Sequence, residues 1–181
     1  MTEQAGRVIL SLDPGTASTG FGVISSFGNR LHALDYGVIE TPAGMPLEKR
    51  LELIFGDMKE LLAKHQPAAT AVESLFFNVN VRTALAVGQA RGVTLLACSQ
   101  AGCEVYEYTP QQIKQAVVGY GKATKQQVME MVRVLLGLVA VPKSDHAADA
   151  LGVAICHANT TGIREGIRKA GDPDAARRNL R

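Results

Sequence analysis

Arg7 to Ser25 reads RVILSLDPGTASTGFGVIS, and this stretch decides the fold. Residues 7–13 (RVILSLD) form an apolar run of strand length, which predicts a largely buried strand. Pro14-Gly15 stops it, because proline fixes φ and removes a donor while glycine turns freely. Residues 20–25 (GFGVIS) then resume a strand. The first strand therefore ends on an acid, Asp13, beside a tight polar turn.

Working outward, residues 31–40 read as a third strand. The Phe27-Gly28-Asn29 break before it predicts an antiparallel meander. Residues 41–46 are loop. Residues 47–65 are helical, since Leu47, Leu51, Ile54, Met58, Leu61 and Leu62 recur at three- and four-residue steps until Gln66-Pro67. Residues 69–73 (ATAVE) are a short buried strand ending on Glu73. Residues 81–100 are a second helix, rich in small residues. Residues 104–108 are a strand, and Thr109-Pro110 caps and opens a further helix. Residues 119–122 form a Gly-rich loop, residues 125–136 a helix, and residues 145–158 a last helix. The order of three strands, helix, strand, helix, strand and helices predicts an α/β layered domain with a mixed sheet of about five strands flanked by helices. In such sheets, sites lie beyond the carboxyl ends of strands. Asp13 and Glu73 occupy two such ends.

The 181 residues suit one domain, expected to span residues 1–160. Residues 161–181 read as a basic, frayed tail. With 46% hydrophobic and 20% charged residues, the composition matches a soluble globular protein and excludes a disordered chain. Neither a membrane span nor a secretory leader is expected. Cys98, Cys103 and Cys156 form no CxxC pair, which fits the cytoplasm. Net charge is +2, yet residues 164–181 carry six basic and three acidic groups, leaving the remaining body at −1. Any polyanion must therefore be met by local concentrations of charge. Residues 111–133 supply one, with Lys114, Lys122, Lys125 and Arg133 against Glu130.

The third acidic group lies in Ser144-Asp145-His146-Ala147-Ala148-Asp149. Acids near a helix start commonly serve the cap or dipole, which suits Asp145. Asp149 lies a full turn inside and shares a face with both His146 and Asp145. Asp13, Glu73 and Asp149 with His146 gather three carboxylates and an imidazole from separate elements. Like charges so gathered cost several kcal/mol without a counter-ion. A pair of divalent cations removes that cost and supports phosphodiester hydrolysis. Oxygen ligands favour Mg²⁺ or Mn²⁺, and the imidazole tilts the preference toward Mn²⁺.

Five blocks, LDPGTASTGFGVI (12–24), VESLF (72–76), GQARG (88–92), QIKQAVVGYG (112–121) and DHAADALGVAI (145–155), resemble the bacterial RuvC family of Holliday junction resolvases. The resemblance runs in consistent order over residues 7–158. It implies an RNase H-like fold, a homodimer and paired, symmetric, metal-dependent nicking of four-way junctions in recombination and repair. It also implies partnership with the junction-binding RuvA and the motor RuvB. Carried over residue by residue, it assigns the catalytic and metal site to Asp13, Glu73, His146 and Asp149. The fourth position is often Asp in the family and is His146 here; neighbouring Asp145 is the alternative, and the family spacing favours His146. The resemblance places Phe76 against bases opened at the crossover, and Lys114 and Lys125 near the scissile phosphate. Lys122 and Arg82 are further DNA-binding candidates.

Two other readings compete. The strand-DPGTASTGFG-strand segment also resembles the first phosphate loop of actin-like ATPases and sugar kinases. Their two-domain cleft needs roughly twice this length, and no second phosphate loop follows. A non-catalytic junction-binding scaffold is the other, favoured only by the His146 departure.

Overall fold

β1 (Arg7–Asp13), β2 (Ser18–Phe27) and β3 (Arg30–Glu40) form the expected antiparallel meander in a computed structural model that describes residues 6–74 and 81–170, with side chains for 6–74 and 84–162. α1 (Leu47–His65) leads to β4 (Ala69–Glu73), and α2 (Val81–Gln100) to β5 (Val105–Tyr108). α3 (Pro110–Val118), α4 (Lys125–Leu135) and α5 (Asp145–Ala170) complete the chain order. The sheet order is β3-β2-β1-β4-β5, with β4 parallel to β1 and β5 parallel to β4. This is the mixed five-stranded sheet that the element order predicts.

Alternation along the strands builds two cores. Leu10, Leu12, Val23 and Val72 face α1 and α2, meeting Ile54, Met58, Ala90 and Cys98. Ile9, Ile24 and Ala71 face α5, meeting Leu151, Ala154 and Ile155, and α3 and α4 add Ile113, Val117, Val128 and Val132. β1 is thus covered on both faces, which is why its sequence is nearly all apolar. The three cysteines are buried and unbridged.

Capping sets where α3 and α4 begin. Thr109 and Thr124 each accept from a backbone amide three residues on, and Gln112 and Gln127 reach back to complete capping boxes. The last helix corrects one expectation. α5 continues to Ala170, past the expected end at Ala158. Thr160 and Thr161 turn their hydroxyls onto the carbonyls of Cys156 and His157, so these polar residues bond within the helix rather than breaking it. Most of the expected tail, residues 171–181, lies outside the described residues. Among the described residues no helix is long and apolar enough to cross a membrane.

Candidate active site

Parallel pairing of Leu12 with Val72 brings the carboxyl ends of β1 and β4 side by side. Asp13 follows Leu12 and Glu73 follows Val72, so strand alternation turns both acids toward the α5 face, the face of Ile9 and Ala71. Two acids sixty residues apart in sequence therefore share one rim of the sheet.

β2 decides how closely α5 approaches that rim. Gly20 pairs with Asp13 across the β1–β2 ladder. A Cβ on Gly20 would overlap the backbone carbonyl of His146, and one on Gly22 would stand 2.9 Å from a Leu151 methyl. The two glycines let the first turns of α5 sit directly on the sheet. His146 consequently reaches Asp13: its Nδ1 lies 2.8 Å from Asp13 Oδ2, where an Nδ1–H donates to the carboxylate.

Asp149, one turn further along α5, faces α4. Lys125 Nζ donates to Asp149 Oδ2 at 3.2 Å and lies 3.0 Å from Asp145 Oδ2. The start of α5 thus directs His146 to Asp13 and leaves Asp145, exposed, to Lys125. Glu73, Asp149, Lys114 and Lys125 line a cleft of about 220 Å³ with Pro110, Ile113 and Val128.

Electrostatics mark this cleft. Burial, then the charges of Asp13 and Asp149, push Glu73 up to about 7 against the opposing pull of Lys114 and Lys125. Burial also raises Asp13, although the His146 hydrogen bond and charge oppose it. Burial draws the Lys125 ammonium down, but hydrogen bonds to Asp145 and Asp149 outweigh it and hold it above the ordinary lysine range. The carboxylates are short of positive charge, and desolvated like charges disfavour ionisation.

The donor set suits a hard divalent cation, because three carboxylates held partly out of water gain most from one. Among the described residues, no three His, Cys, Asp or Glu side chains stand as a ready-made ligand group. Asp13 is turned to His146 and Asp149 to Lys125, so a cation would be taken up in exchange for these internal partners.

Of the other sequence candidates, Lys114 lies in the cleft. Lys122 is exposed in the loop between α3 and α4 and forms no ion pair among the described residues. Phe76 and the Arg82 side chain lie outside the described residues. Sequence reasoning missed two contributors. One is the Gly20–Gly22 pair, legible only as an alternate-residue glycine repeat. The other is Arg91, which is buried and donates from Nη1 to the Glu73 carbonyl at 2.6 Å. Its signal was a charge within a helix that carries only two, Arg82 and Arg91.

The model of the family described as "Crossover junction endodeoxyribonuclease RuvC" matches residues 9–157. The chain is 58% identical over 158 residues to the crossover junction endodeoxyribonuclease RuvC of Heliobacterium modesticaldum, covering 86% of this chain and 98% of that one. It is 55% identical over 155 residues to the RuvC of Rubrobacter xylanophilus, covering 86% and 87%. Among solved structures, RuvC of T. thermophilus in complex with a Holliday junction substrate superposes with a TM-score of 0.84 at 37% identity, covering 87% of this chain and 96% of that one. The yeast mitochondrial Holliday junction resolvase Ydc2 shares the fold, with a TM-score of 0.66 at 11% identity. The mixed sheet flanked by helices is the RNase H-like arrangement expected above.

Proposed function

Because the chain belongs to the RuvC family of crossover junction endodeoxyribonucleases, we propose that it resolves four-way DNA junctions by hydrolysing one phosphodiester on each of two opposed strands. The observation that carries this reading is the cleft lined by Glu73 and Asp149, from β4 and α5, with Lys114 and Lys125 on its wall, beside the β1 end that carries Asp13. Family membership displaces the phosphate-loop ATPase reading of residues 12–24.

Asp13, Glu73, His146 and Asp149 are the residues that would hold Mg²⁺ or Mn²⁺, two ions in each site. Such ions would supply an activated water and stabilisation of the leaving 3′-oxygen. Around them the chain's own groups have separate tasks. His146, with Nδ1 directed at Asp13, has its ring orientation fixed by that contact. Lys125, held at the cleft by Asp145 and Asp149, presents an ammonium where a phosphate would enter. Lys114 adds a second. Phe76, Lys122 and Arg82 are the further candidates for DNA contact, Phe76 by stacking on opened bases.

The reading includes a homodimer. Leu85 and Leu96 on α2 are 64% and 52% exposed and lie on one helical stripe with Gln89 and Gly92, two large apolar side chains left uncovered in the single chain. Two sites related by a two-fold axis match the symmetry of a junction. A concentration series in light scattering tests this. Family membership also supports work with RuvA and RuvB in the cytoplasm.

The decisive experiment incubates a synthetic four-way junction and a linear duplex with Mg²⁺ or Mn²⁺. Wild type should nick the junction symmetrically and spare the duplex, and Asp13→Asn should nick neither. Tight junction binding with no cutting under either metal would instead establish the scaffold reading.

A further inference from the structure

Arg91 sits at the meeting of three elements. It is carried by α2 and is 8% exposed. Its Nη1 donates to the backbone carbonyl of Glu73 at 2.6 Å, and its Nη2 lies 2.6 Å from Glu107 Oε1. Glu73 is the last residue of β4, and Glu107 is the third residue of the four in β5. Val72 pairs with Glu107 and Glu73 with Tyr108, so these contacts fall on the last rungs of the β4–β5 ladder. One more backbone bond, Ser74 N–H to Tyr108 O at 2.8 Å, closes the ladder.

The arrangement divides Glu73 between two sides of the sheet. Its carboxylate belongs to the α5 side, in the cleft with Asp149. Its carbonyl is gripped from the α2 side by a guanidinium. Arginine's planar fork, with donors on separate nitrogens, holds the carbonyl through Nη1 and the carboxylate through Nη2 at once.

We propose that Arg91 is the positioning residue for Glu73: by clamping the Glu73 carbonyl and Glu107 together it fixes where the Glu73 carboxylate enters the cleft. The inference rests on the reading of Glu73 as an active-site acid. It also gives α2 a second task, because the helix whose outer stripe carries Leu85 and Leu96 holds a strand end of the site from its inner face.

The test compares wild type, Arg91→Ala, Arg91→Lys and Glu107→Gln as full-length chains. Junction nicking gives kcat, junction affinity is measured in EDTA, Mn²⁺ binding is followed by calorimetry, and melting temperature and oligomeric state report the fold. Arg91→Ala should lower kcat at least tenfold and weaken Mn²⁺ binding several-fold, with junction affinity in EDTA within twofold of wild type. Arg91→Lys, which keeps the charge but places its donors on a single nitrogen, should recover part of both. Glu107→Gln, which keeps a neutral acceptor and the fold, should lie between wild type and Arg91→Ala. The proposal is overturned if Arg91→Ala melts lower yet cuts at the wild-type kcat per folded protein, or if kcat and EDTA junction affinity fall in parallel. Wild type that leaves the junction intact overturns the functional reading itself and this inference with it.

Discussion

Gly20 and His146 meet backbone to backbone: a Cβ on Gly20 would stand 2.5 Å from the carbonyl carbon of His146, a separation real Cβ atoms essentially never show. Gly20 is also the ladder partner of Asp13. One glycine thus sets the distance between the strand that carries Asp13 and the helix that carries His146 and Asp149.

Gly20→Ala should therefore push the start of α5 off the sheet. A cost of about 1–3 kcal/mol is typical of overpacking, and nicking should fall at least tenfold. Gly56→Ala is the contrast. Gly56 lies inside α1 with nothing within 4 Å of an added Cβ, and there the same change should stabilise by about 0.4–1 kcal/mol. Melting temperature and nicking rate, measured for both, separate the contact from general glycine effects.

Glu73→Gln should make the metal-free protein more stable at pH 8 while abolishing cutting. The folded Glu73 carboxyl sits at about 7, above its ordinary 4.5. A raised carboxyl favours the folded state fully below about 4.5 and loses that contribution as pH climbs through about 7. Wild type in EDTA should thus lose stability across this window, by an amount on the order of 3 kcal/mol from this group. Glu73→Gln should flatten that part of the profile. Thermal melts from pH 4 to 8 read the difference, and added Mn²⁺ should restore wild type at pH 8 but not the variant.

His146→Ala should abolish cutting, whereas Asp145→Ala should retain most of it, because the structure turns His146 to Asp13 and Asp145 to Lys125. His146→Asp should cut, with its rate ratio shifted from Mn²⁺ toward Mg²⁺, since an all-oxygen set suits the harder ion. If Asp145→Ala alone loses activity, the ligand assignment is wrong.

Lys125→Ala removes an ammonium that now neutralises Asp145 and Asp149. Cutting should fall at least tenfold. The salt dependence of junction affinity should lose about one unit of slope, as expected for one phosphate contact. Anisotropy titrations over a range of KCl check this, and an unchanged slope removes Lys125 from the DNA surface.

Much of this protein was legible in its sequence because the signals were local. The apolar run of residues 7–13 set a central strand, and the Pro14-Gly15 break set its end. Alternation and three- to four-residue periodicity placed the five strands and the helices, and Thr109-Pro110 marked a helix start. Asp13, Glu73, His146 and Asp149 stood out through their positions and the family blocks. α5 runs past the expected end because the polar, basic stretch that follows residue 158 reads as a frayed tail, whereas here the Thr160 and Thr161 hydroxyls bond back to the preceding turn. What tertiary structure decided were contacts with no local trace. Gly20 and Gly22 matter only because a helix more than a hundred residues away packs on them. Arg91 matters only because its guanidinium crosses from α2 to the ends of β4 and β5. Whether His146 or Asp145 faces Asp13 depends on the rotation of α5 about its own axis. Packing of Leu151 against Gly22 fixes that rotation, and periodicity along a single helix carries no information about it.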